Sequence, residues 1–184
     1  MSKRSRRVTP AILGSVISLA LIAGCGEDDP QVDAAVFETV EQCVQSGEYP
    51  KEECETYFQQ AMADQAATAP KYESQADCEA EFGAGKCNQG PEISGGDGAD
   101  STHVRHSYVP MAAGFLIGAA ISQPLYRTYQ GGKYGAFATS GGTMVGSKTG
   151  RTRLYSSVVS SRPSRTTTTM KRGGFGSMSR SAAS

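Results

Sequence analysis

Apolar residues recur at three- and four-residue steps in two stretches of the first half of the chain. Val36, Phe37, Val40, Cys43 and Val44 fall on one helical face, and Cys54, Tyr57, Phe58, Ala61 and Met62 repeat the pattern. Pro50 suits the first turn of the second helix, where Glu52 and Glu53 meet its positive end, and Pro70 breaks that helix. Ser74 with Asp77 resembles a capping box opening a third, short helix. Residues 76–82 also alternate apolar and acidic, so a strand fits there too. The pattern predicts a helical hairpin with a third helix. Phe37, Tyr57, Phe58 and Phe82 read as core rather than as a ligand box.

A second kind of pattern is the continuous apolar run. Met111 to Ser122 is twelve residues long, and as a helix it spans about 18 Å, against roughly 30 Å of hydrocarbon in a bilayer. Gly114 and Gly118 share the small-x-x-x-small spacing that lets helices approach closely. Two readings stay open: a patch packed on the preceding domain, or a segment that inserts in a membrane or self-associates. From Arg127 onward, Gly131-Gly132, Ser156-Ser157, Ser160-Ser161 and Thr166 to Thr169 lack the periodicity of packed elements.

Composition sharpens this picture. With 22 glycines and no tryptophan in 184 residues, much of the chain contributes little to a core. The expected fold is a small, mainly α, disulfide-stabilised domain, followed by a short apolar helix and a long, low-complexity, largely disordered basic tail. The expected boundaries are 35–90 for the acidic helical domain, 91–107 for a linker, 108–126 for the apolar segment and 127–184 for the tail.

Net charge is zero, but its distribution is not even. All 18 acidic residues lie before residue 101, where residues 26–100 hold only Lys51, Lys71 and Lys86, a net of −15. The 11 basic residues after residue 100 have no acid among them. Such a split points to different partners for the two segments, or to partners in each other. The tail suits anionic envelope components or the chain's own acidic domain.

The amino terminus reads as an address. Lys3, Arg4, Arg6 and Arg7 precede an uncharged apolar run from Val8 to Ala23, as in a signal peptide over residues 1–24. The run ends in Leu21-Ile22-Ala23-Gly24-Cys25, which resembles the bacterial lipobox. The thiol of Cys25 is the group that takes diacylglycerol, and several acyl chains give a stable anchor. Residues 25–34 then form the lipidated cysteine and a tether, and Gly26 in place of Asp favours the outer membrane over the inner. Removing Cys25 leaves Cys43, Cys54, Cys78 and Cys87, an even number in an exported chain. Local pairing, Cys43 with Cys54 and Cys78 with Cys87, is favoured because turn residues lie inside each loop. Intervals of ten, twenty-three and eight residues, with no C-x-x-C, do not suit a zinc site.

Other chemistry is thin. Gly142 to Thr149 is one residue from a P-loop, with Ser147 where the second glycine belongs. His103 and His106 have no carboxylate or thiolate cluster nearby in sequence, and Lys171 to Gly176 holds a single arginine-glycine box. There is no nucleophile elbow and no H-E-x-x-H. No catalytic residue, cofactor, metal or nucleic-acid site is expected.

The chain resembles the YgiB-like bacterial lipoproteins, a family of unknown function. The likeness rests on Leu21–Cys25, the acidic region with Cys43 and Cys54, Thr68 to Tyr72, Asp77 to Gly83 with Cys87, Met111 to Gly118, and Thr166–Thr169 with Arg172 to Gly176. This chain is shorter between the apolar stretch and the threonine run. The resemblance implies an address and no catalytic residue. The expected function is a non-enzymatic binding or structural module anchored in the envelope and facing the periplasm. The alternative is a membrane-active or oligomer-forming protein acting through residues 111–122.

The anchor is testable by itself. Cys25→Ala should leave uncleaved, unlipidated precursor, seen by mass as an amino-terminal peptide that keeps the leader and carries no acyl chains; a variant that still matures and partitions normally overturns the anchor.

Overall fold

The computed structural model describes residues 29–93, 105–119, 121–160, 169–170 and 175. The leader, Cys25, His103, most of the expected linker and the Lys171–Arg172 pair lie outside the described residues. In chain order the elements are β1 (Gln31–Phe37), α1 (Val40–Gln45), α2 (Lys51–Thr68), β2 (Lys71–Tyr72), α3 (Gln75–Phe82) and β3 (Cys87–Ile93). They continue with β4 (Arg105–Pro110), β5 (Gly114–Ile117), β6 (Ser122–Gln130), β7 (Lys133–Thr139), β8 (Met144–Gly146) and β9 (Gly150–Tyr155). The last are α4 (Ser156–Ser160) and β10 (Thr169–Met170).

The expectation of a mainly α fold is overturned. Most of these elements are strands, arranged in a six-stranded antiparallel sheet of order β8-β7-β6-β5-β1-β9 and a four-stranded sheet of order β10-β2-β4-β3. The three expected helices exist, and α1 and α2 pack on each other through the Cys43–Cys54 disulfide, but α2 and α3 also cover sheets. Thr39 caps α1 by accepting a hydrogen bond from the Gln42 N–H, so the helix begins at Val40. Val36 and Phe37, expected on the helical face, instead end β1. Consecutive strand residues face opposite sides, and here both sides are buried: Val36 joins one core with Leu116, Leu125, Phe137 and Val159. Phe37 joins another, with Phe115, Ile117, Phe58 and the Cys43–Cys54 disulfide.

The apolar segment is likewise a strand and not a helix. β5 pairs with β1 on one edge and β6 on the other, and Phe115, Leu116 and Ile117 are all buried. A short unbroken apolar run fits a doubly covered strand as well as a helix. Gly114 and Gly118 serve close approach within the chain. A Cβ on Gly114 would collide with the Phe37 carbonyl, and one on Gly118 would lie 2.6 Å from the Val159 Cβ. Among the described residues, no helix is long and apolar enough to cross a membrane.

The described part of the tail is also structured, against the expectation of disorder. Gly131 and Gly132, at φ of 58° and 80°, form the two-residue turn between β6 and β7, a conformation that glycine adopts without strain. β9 returns to pair with β1 through six residues. Ion pairs follow across the charge split: Arg127 with Glu38 at 3.1 Å, Arg151 with Glu48 at 2.8 Å and Arg153 with Asp33 at 3.9 Å.

The disulfides join Cys43 to Cys54 and Cys78 to Cys87, tying α1 to α2 and α3 to β3. In the chain-entropy model each short loop contributes roughly 3 kcal/mol. The glycine packing gives a prediction. Gly118→Ala lowers stability by about 1–3 kcal/mol in urea unfolding, as overpacking does. Gly141→Ala, whose added carbon would meet only the Thr139 hydroxyl at 3.9 Å, stays within about 0.5 kcal/mol.

Candidate functional site

α3 and the β6–β7 hairpin flank two clefts among the described residues. Ser74 starts α3 by accepting from the Asp77 N–H at 3.1 Å while its own hydroxyl donates to the Asp77 carboxylate at 2.7 Å. Cys78 and Phe82 then face inward, into a core with Tyr72, Tyr126, Val109 and Cys87. The helix stops at Gly83, whose φ is 100°. Any Cβ there would also lie 2.9 Å from the Tyr134 hydroxyl. Glycine is needed at this position for its backbone, and its missing side chain lets the Tyr134 hydroxyl approach.

Two clefts open on either side of this junction. The larger, of about 610 Å³, is lined by Glu79, Glu81, Thr128, Tyr129, Gln130, Met144 and Phe175. The smaller, of about 350 Å³, is lined by Glu38, Phe82, Lys86, Met111, Arg127 and Tyr134. Phe175 packs at 4.9 Å from Phe82 and 6.4 Å from Tyr126, ring centre to ring centre. Tyr129 and Tyr134 pack at 5.2 Å across the hairpin. Arg127 lies 4.7 Å over the Phe137 ring, which fixes its guanidinium for the bond to Glu38.

The carboxylates are organised by neutral donors. Glu79 accepts from the Gln75 amide at 2.7 Å and the Gly85 N–H at 3.1 Å. Glu81 accepts from the Tyr72 hydroxyl. Burial, followed by this bond to Glu81, holds the Tyr72 pKa far above its ordinary value. Tyr126 is raised too, chiefly by burial, with the Ser140 hydroxyl acting weakly the other way. That Tyr126 hydroxyl has no partner in hydrogen-bonding geometry among the described residues, while Ser140 meets Thr68 at 3.1 Å. Carboxylates beside aromatic rings attract cationic groups, through charge and through the ring faces.

The other motifs read from the sequence disperse. Gly142 to Thr149 runs through β8 and the turn into β9, so a strand and not a helix follows it directly. His106 is exposed on β4. Among the described residues, no group of three or more His, Cys, Asp or Glu could hold a metal. Phe37, Tyr57 and Phe58 are core as expected, but Phe82 belongs to a separate core. Sequence reasoning misses Tyr126, Tyr129, Tyr134, Met144 and Phe175. The available signal is the Gly131-Gly132 pair between two alternating runs, a hairpin marker.

Residues 31–184 match the family model described as "Protein of unknown function (DUF1190)". The chain is similar to bacterial proteins named "UPF0441 protein". One from Erwinia tasmaniensis is 33% identical over 94% of this chain and 81% of its own length. One from Yersinia pestis bv. Antiqua is 31% identical over 99% of this chain and 88% of its own. No solved structure matches.

The two raised tyrosines set a pH dependence. An ordinary tyrosine loses its proton near pH 10, so both phenols stay protonated above that in the folded state only. The stability they contribute is intact below about pH 10 and falls as pH rises past it. Ultraviolet titration should show Tyr72 and Tyr126 ionising only as the fold is lost; ionisation of these two phenols near pH 10 in folded protein contradicts this.

Proposed function

This chain belongs to the DUF1190 family of proteins of unknown function, and from that premise we propose that it is a lipid-anchored protein of the bacterial cell envelope whose folded part is a non-enzymatic binding module. It faces the periplasm, with the outer membrane favoured. The observation that carries the binding reading is the convergence of Met111, Tyr134 and Met144 on the two clefts beside α3. These side chains are 38%, 46% and 50% exposed, and exposed apolar groups rimmed by polar ones mark interaction sites. Glu79 and Glu81 at the larger cleft suit a partner that carries cationic side chains.

The anchor is supported by the Leu21–Cys25 motif, and the membrane by Gly26. The two disulfides support an oxidising compartment. The finer likeness to YgiB-like lipoproteins agrees with that address. The close ion pairs of Arg127 with Glu38 and Arg151 with Glu48 favour a basic segment that engages its own acidic half at these two positions.

A photo-crosslinking residue at position 144, introduced into the full chain in intact cells, should yield a discrete adduct that Glu79→Lys weakens at least several-fold. The same group at Val44, exposed but away from both clefts, should not yield it. Identical adducts from both positions, or indifference to Glu79→Lys, would remove the cleft from the binding reading.

A further inference from the structure

The chain enters its fold at a fixed point. The Asp29 carboxylate accepts from the Ser156 hydroxyl at 2.7 Å, from the Ser157 N–H at 3.0 Å and from the Ser157 hydroxyl. The Pro30 carbonyl accepts from the Ser156 N–H at 2.8 Å, and Gln31 stands opposite Tyr155 as β1 begins. Cys25 precedes Asp29 by four residues. Even fully extended, that length spans no more than about 14 Å.

We propose that the strip formed by the start of β1 and the end of β9 rests on the membrane, with Tyr155 and Arg153 among anionic phospholipid headgroups. The inference rests on the lipid-anchor reading, and it adds which face the anchor turns to the bilayer. Alternation along β9 turns Leu154 toward the core and leaves Arg151, Arg153 and Tyr155 exposed. Tyr155 is 54% exposed. α1 and α2 cover the far end of β1, where Ala35 and Phe37 are buried, while Gln31 and Asp33 stay exposed.

The chemistry fits a lipid surface. Tyrosine favours the headgroup level, with its ring in apolar contact and its hydroxyl in water, and arginine pairs with phosphate. Two of the described acids in and beside the strip are already engaged. Asp29 is held by its serines, which lower its pKa, and Glu48 by Arg151. Asp33 is 98% exposed and sits 3.9 Å from Arg153, a loose pair that leaves the guanidinium available. The short tether keeps the strip at high effective concentration beside the bilayer, so individually weak contacts suffice.

The chain has no tryptophan, so Tyr155→Trp installs a single indole in the full, cell-processed protein. That protein is placed in vesicles of phosphatidylethanolamine and phosphatidylglycerol with brominated acyl chains. The indole at position 155 should shift to the blue and lose most of its emission to the bromines, and Arg153→Ala should reduce the loss. Tyr134→Trp, on a strand separated from β9 by β6, β5 and β1, should keep its emission. Equal emission from the two positions, with acylation of Cys25 verified by mass, overturns the orientation and leaves the anchor standing. An unacylated Cys25 overturns both. A blue shift that follows protein density and ignores the bromines assigns the strip to a second copy of the chain, and also overturns the proposal.

Discussion

β1 is paired along both of its edges, to β5 through Ala35, Val36 and Phe37 and to β9 through the residues from Gln31 to Val36. It is the one strand that the acidic half contributes to the six-stranded sheet. Ala34 to Phe37 are all buried, and two cores form on the two faces it presents. Their burial is worth a few kcal/mol per large side chain. The ion pairs that flank it are partly or largely exposed, and such pairs contribute about 0–1 kcal/mol each. The charge split along the chain is therefore arranged by the strand pairing and does not drive it. Opposite charges meet because β1 has brought the two halves together.

How much of this is legible in the sequence depends on how local the cause is. The helices α2 and α3 rest on Pro50, Pro70, Ser74 and Asp77, all within a turn of the boundaries they set. The disulfides close short loops and are legible for the same reason. β1 misleads because Val36 and Phe37 continue a three-and-four spacing into a true helix, and only the Thr39 cap separates the two. β5 misleads because an apolar run of this length serves equally as a buried helix or a strand covered on both faces. Which one it becomes is decided by β1 and β6, one of them far away in sequence.

The clefts are half legible. α3 supplies Glu79, Glu81 and Phe82 from a segment whose cap and cysteine can be read directly. The opposite wall comes from β6 to β8 and Phe175, in a stretch whose glycine and serine content masks its alternation. Gly83 and Tyr134 show why such a wall escapes composition. Glycine is required there by its φ of 100°, and a tyrosine from a distant hairpin uses the space left by the missing side chain.

The reach of β1 has a consequence for how the molecule comes into being. Gln31 and Arg153 meet across 122 residues of chain, so the contact order is high and folding correspondingly slow. A chain delivered amino end first presents β1 long before β9 arrives, with an unpaired edge open to wrong partners. A chain ending before Gly150 would keep that edge open permanently. Closure of the sheet therefore waits on the last of its strands in sequence, and until β9 pairs the β1 edge is exposed to association.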